Sequence, residues 1–144
     1  AARRLEVAIE RPQQKFTVFR DFAHAPSKLK ATQSGVVGSF PERKVTAVFE
    51  LHTFSSLNKA FLPQYASSMD SVDKAIVFYD PKVVEHKRLP AISIQDVKDA
   101  FGREDLEVIT SVNSLEKRIN AIPKENHCVL MMSSGRFGGA EIPQ

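Results

Sequence analysis

Tryptophan is absent from this chain, cysteine occurs once, and no apolar run approaches the roughly 18 residues that a membrane-spanning helix requires. One cysteine excludes an internal disulfide framework. Cys128, set inside the run "CVLMM", reads as a buried, inert thiol suited to a reducing cytoplasm. Neither G-x-x-x-x-G-K-[ST] nor G-x-G-x-x-G is present, so the chain supplies no main phosphate cradle. The G-x-S-x-G elbow is missing too, which leaves Asp21, His24 and a nearby serine without the usual frame for acyl hydrolysis. Charge of one sign is scarce: 20 Lys and Arg face 17 Asp and Glu, interleaved from Glu6 to Glu141, for a net charge of +3. No continuous cationic stripe is left for a nucleic-acid backbone, and neither nucleic acid nor membrane is an expected partner. His24, His52, His86 and His127 are scattered rather than spaced as ligands, so no metal site is expected on this chain.

What remains suffices for one domain over residues 1–144. Its 42% hydrophobic and 26% charged residues match an ordinary globular balance, and a chain of this size buries about 68–70% of its unfolded surface. The start, "AARRLEV", carries no apolar leader and no Met, which points to a piece cut from a longer protein.

Two strand-like stretches open the chain, residues 5–9 and 16–19, joined by the hairpin-length "ERPQQK". Apolar spacing then predicts a helix from Ser27 to Phe40, with Leu29, Val36, Val37 and Phe40 on one face, and a strand over 45–49. A second helix is predicted from Leu57, Phe61, Leu62, Tyr65 and Met69, followed by a strand over 75–79. The third opens on a capping box from Ser93 to Asp96 and should bury Ile94, Val97 and Phe101; the next strand is 106–110. The fourth opens with "NSLE" and presents Leu115, Ile119 and Ile122, before a last strand over 128–132. Continuous aliphatic strands separated by amphipathic helices imply an α/β fold. The expectation is a Rossmann-like, mostly parallel six-stranded sheet with helices on both faces and one antiparallel edge strand.

Ligands of such sheets bind outside the carboxyl ends of the strands. The segments there are "RDFAHAP", "ELHTFSS", "DPK", "SVNS" and "SSGRFGG". An ionised Asp21 just past a strand could accept ribose hydroxyls, with Phe22 or His24 against a base; a loop cap is the plainer alternative. Gly135, Gly138 and Gly139 would let backbone approach a ligand closely, or simply form a flexible turn.

Taken together, "RRLEV", "DFAHAP", "VFELHTFSSL" and "VLMMSSGRFGG" resemble the C-terminal domain of the Mur ligases, whose D-x-A-H-x-P signature is shared with folylpolyglutamate synthetases. The resemblance covers essentially the whole chain. It implies a three-domain, ATP-dependent ligase whose central domain, outside this chain, holds the phosphate loop and Mg2+. ATP phosphorylates a muramoyl carboxylate, an incoming amine attacks the acyl phosphate, and the C-terminal domain closes over the site.

By the same resemblance, Asp21 is expected at the ATP ribose, with Phe22 and His24 on the nucleotide side; the signature's usual second His is Ala25 here. The loop that reads His-Arg-Tyr-Thr-Arg in the alanine-adding relative is His52, Thr53, Phe54, Ser55, Ser56, keeping the His and losing both arginines. His52, Ser55 and Ser56 are therefore expected at the amine substrate. Asp80 and Lys82 of "DPK" stand where the diaminopimelate-adding relative has Asp-Asn-Pro-Arg, and Ser134, Gly135 and Arg136 stand in its second substrate loop. The implied partners are ATP, UDP-N-acetylmuramate, the murein tripeptide L-alanyl-gamma-D-glutamyl-meso-diaminopimelate, and the N-terminal and central domains.

Overall fold

The computed structural model describes residues 5–141, so Arg3 and Arg4 of the "RRLEV" stretch lie outside the described residues. In chain order the elements are β1 (Glu6–Arg11), β2 (Phe16–Asp21), α1 (Pro26–Ser39), β3 (Lys44–Glu50), β4 (Lys74–Phe78), α2 (Pro81–His86), α3 (Ile94–Phe101), β5 (Glu107–Ile109), α4 (Val112–Asn120) and β6 (His127–Met132). The strands form one sheet in the order β1-β2-β6-β3-β4-β5, with β1 antiparallel to β2 and every other pair parallel. This is the expected mostly parallel α/β sheet with one antiparallel edge.

The sheet is buried at its centre because β3, β4 and β6 carry apolar residues on both faces. Alternate side chains feed two cores. The larger, around Phe49, Tyr65, Phe101 and Leu130, lies under α1, α2, α3 and the segment 51–73. The smaller, around Phe16, Val48, Phe78 and Met131, lies under α4 and the turn near Phe137. Helices thus cover both faces, unequally. Edge strand β1 is largely exposed. α1 begins at Pro26, where proline's fixed φ suits the first turn and its missing N–H costs nothing.

The predicted helix over 57–69 is not formed. Leu57, Leu62, Tyr65 and Met69 are buried as their spacing requires, but the backbone runs as successive turns with a single 3-10 turn at Leu62–Tyr65. Three residues account for this: the Asn58 side chain accepts from Ala60 N–H, Pro63 has no N–H to donate, and Ser67 sits at φ 65. Ile94 is 45% exposed rather than buried, since the capping box aims it outward from the first turn of α3. α4 is capped by Ser111, which accepts from Ser114 N–H, two residues before the "NSLE" stretch. α2 was missed because six residues are too few for a helical period to show; Asp80 caps it by accepting from Lys82 N–H.

At the amino ends of β3 and β6 a buried His127 Nε2 lies 2.7 Å from Thr46 Oγ1. Burial, more than any neighbouring charge, pushes the His127 pKa below its usual 6.5. The unfolded chain therefore binds this proton more readily than the folded one. The contribution is complete above the unfolded pKa and is lost as pH falls from there toward the folded value. Urea midpoints should drop between pH 7.5 and pH 5.5, and His127→Gln, which takes up no proton, should narrow that drop. An unchanged drop in the variant would assign it to other groups.

Candidate functional site

Because β2, β6, β3, β4 and β5 run in parallel, Asp21, Met132, Glu50, Phe78 and Ile109 end at one rim. β6, last in the chain, lies between β2 and β3, so the connection leaving β2 must pass over it; open sheets bind ligands at such a reversal of strand order. There the rim opens into a cleft of about 1050 Å³, on the face that α4 only partly covers. Met131 lies among its lining, and its walls bring together Asp21 and Phe22 after β2, His52 after β3, and Ser134, Gly135 and Arg136 after β6. Six of the site residues expected from sequence thus meet in one cavity.

A buried carboxylate organises the walls. Glu50, 4% exposed, accepts through Oε1 from Ser133 Oγ at 2.6 Å and from Phe137 N–H at 2.8 Å. Its Oε2 lies 3.7 Å from His52 Nδ1, within ion-pair range when that ring is protonated. Ser133 Oγ in turn accepts from Gly135 N–H at 2.8 Å. Gly135 packs so close to the His52 ring that a Cβ there would lie 2.8 Å from its carbons, so a side chain at 135 would push that ring aside. Gly138, at φ 63, is held against Val112 by a similar fit, tying the turn after β6 to the start of α4.

Asp21 closes its own loop. Oδ1 accepts from Ala23 N–H at 2.7 Å and Oδ2 from Thr32 Oγ1 at 3.5 Å, leaving lone pairs on both oxygens for a further donor. The following residues are anchored from below: Tyr65, whose phenol burial raises to a pKa of about 12, donates its hydroxyl to the His24 carbonyl at 2.5 Å. His24 itself is exposed outside the cleft lining, its Nδ1 3.1 Å from the Phe22 carbonyl.

Four other expected residues also lie outside the lining. Ser56 is fully buried and donates to the Thr53 carbonyl; Ser55 is exposed on the same turn. Asp80 caps α2, and Lys82 is exposed in the first turn of that helix. Sequence reasoning passed over Glu50 and Arg20, both part of the rim. An acid closing the apolar run "VTAVF" was the available signal for Glu50.

The fit to nucleotide and metal differs. Asp21 keeps acceptor capacity beside Phe22, which suits a ribose. Among the described residues, no three His, Cys, Asp or Glu side chains come together as a group that could hold a metal ion. No helix among the described residues is long and apolar enough to cross a membrane.

Comparison with known proteins agrees with this fold. A domain attributed to a UDP-N-acetylmuramate:L-alanyl-gamma-D-glutamyl-meso-diaminopimelate ligase of Haemophilus ducreyi is 25% identical, with a TM-score of 0.67 over 95% of this chain and 93% of that one. A UDP-N-acetylmuramate-alanine ligase of Thermotoga maritima is similar at 18% identity and a TM-score of 0.70, over 97% of this chain and 28% of its own. A murein peptide ligase of Psychrobacter arcticus matches at 20% identity and 0.62, over 94% and 28%. This chain thus spans little more than a quarter of the two longer relatives. The family model described as "Mur ligase, glutamate ligase domain" matches residues 3–135, and the chain belongs to that family.

Proposed function

We propose that this chain is the C-terminal domain of an ATP-dependent amide ligase of the murein peptide type, working beside an N-terminal and a central domain. The full reaction joins UDP-N-acetylmuramate to L-alanyl-gamma-D-glutamyl-meso-diaminopimelate in peptidoglycan recycling, in the cytoplasm. The observation that carries the reading is the convergence of the loops after β2, β3 and β6 on one cleft. It lets the nucleotide loop and both substrate loops act on neighbouring ligands. When bound, ATP supplies the phosphoryl group that activates the carboxylate, with Mg2+ held by the central domain. The chain's own residues bind and enclose: Asp21 accepts from the ribose, Phe22 lies at the base, and the His52 and Ser134–Arg136 loops hold the amine substrate. Closure over such a site aligns the reactants and keeps water from a hydrolysable intermediate. The isolated domain, lacking a phosphate loop, is inactive in this reading.

A second reading is another amide ligase of the Mur or folylpolyglutamate type, the alanine-adding one among them, and it is supported by the family match, which is common to these reactions. The loss of both loop arginines, where Thr53 and Ser56 now stand, argues for a larger amine substrate. In the full-length enzyme kcat/KM should be higher for the tripeptide than for L-alanine, and equal values would overturn the peptide assignment.

The nucleotide half is tested at Asp21. Because Asp21→Ala would also release Ala23 N–H, the sharper variant is Asp21→Asn, which keeps an acceptor for that bond. Charge-assisted bonds to ribose hydroxyls are worth about 1.5–3 kcal/mol, or roughly 10–150-fold in apparent ATP affinity. Wild type should discriminate against 2′-deoxy-ATP and Asp21→Asn much less. Equal discrimination would remove Asp21 from the ribose.

A further inference from the structure

Two arginines line the cleft, Arg20 from the end of β2 and Arg136 from the turn after the neighbouring strand β6. Arg20 pairs in register with Met131, which places it over the cleft rather than against α1. Both arginines are exposed, and neither takes part in any ion pair among the described residues. No carboxylate among the described residues is within ion-pair distance of either, including exposed Glu6, which stands opposite Arg20 on β1. Asp21 turns its oxygens to Ala23 N–H and Thr32, and Glu50 is buried with one oxygen engaged by Ser133 and Phe137 and the other toward His52. With Arg20 and Arg136 against the one lining carboxylate, Asp21, the balance of charge in the cleft is cationic and carried by planar forks, the groups that bind carboxylate and phosphate two bonds at a time.

We infer that Arg20 and Arg136 together form a binding site for an oxyanion, a carboxylate or a phosphate. The inference rests on the ligase reading only for the identity of the natural ligand; binding itself is a property of this chain. An anion received there would lie beside Gly135 and Phe22, where the nucleotide and the amine substrate meet in that reading. Its strength should fall with added salt, as expected for partly exposed charges.

The test is an NMR titration of the 144-residue chain with two probes, inorganic pyrophosphate and the dipeptide L-alanyl-gamma-D-glutamate, following the arginine Nε–H signals and the amides of residues 134–139. A saturable shift centred on Arg20 and Arg136 is expected. Arg20→Gln and Arg136→Gln should each weaken binding roughly five- to ten-fold, with Arg20→Lys in between. Lys44→Gln, which removes an exposed cation at the opposite rim, should leave binding unchanged. Circular dichroism checks that each variant folds. Saturation by pyrophosphate alone assigns the site to phosphate, and by the dipeptide alone to carboxylate; either supports the inference. No saturable shift with either probe, or equal weakening by Lys44→Gln, would overturn it. A chain that binds through both arginines while the full-length protein forms no amide bond would sink the ligase reading and leave this one standing.

Discussion

Replacing Glu50 by alanine should cost the domain about 2–4 kcal/mol, because it strands the Ser133 hydroxyl and the Phe137 amide together in a buried place. The loss is of two hydrogen bonds to a carboxylate, and an unmade bond in the interior is dearer than a made one is favourable. Glu50→Gln keeps one acceptor oxygen and should cost roughly half as much. Urea unfolding at constant m-value measures the difference, and hydrogen exchange at Phe137 shows where it arises. Exchange should quicken at Phe137 before it does in β4. A Glu50→Ala domain as stable as wild type would mean that the turn after β6 is held by packing on Val112 and Phe78 alone.

Phe101→Ala should cost about 3–5 kcal/mol, the range for deleting a buried aromatic ring. Phe101 is 1% exposed, stacks on Tyr65 at 5.2 Å between centroids and lies 6.4 Å from Phe49. Its removal opens a cavity beneath Tyr65, whose hydroxyl anchors the His24 carbonyl. The effect should therefore travel through Tyr65 to the nucleotide loop: amides of residues 23–25 should exchange faster. Phe101→Leu keeps much of the volume and should cost roughly 1–2 kcal/mol, with a smaller change in the loop. Calorimetric or urea-derived stability checks the first part and hydrogen exchange the second. Equal loop exchange in Phe101→Ala and wild type would separate the aromatic cluster from the site.

How much of this was legible depended on the length of the pattern. Strands buried on both faces announce themselves as unbroken apolar runs, so β3, β4 and β6 and the parallel class could be read directly. The segment 57–69 shows the limit: spacing found its buried residues, but Asn58, Pro63 and Ser67 set the backbone path through local bonding that periodicity does not record. At the site, Asp21, Phe22, His52 and the 134–136 loop stood out by chemistry and position, and the topology brought them together. Asp80 and Ser56 stood out equally, yet their polar atoms are engaged in capping their own turns. Glu50 did not stand out because an acid at a strand end is ordinary until burial and its partners are known.

The position of β6 bears on how the chain is made. Six register pairs join it to β2 and six to β3, and β2 and β3 share no ladder of their own. Until residues after 126 leave the ribosome, a nascent chain can hold only two fragments, a β1-β2 hairpin and a β3-β4-β5 ribbon. Each presents an open edge where the last strand belongs. Apolar strand edges exposed during synthesis are templates for pairing with other chains. The domain therefore folds late rather than progressively, and truncation before His127 would yield sticky half-sheets rather than a smaller working fold.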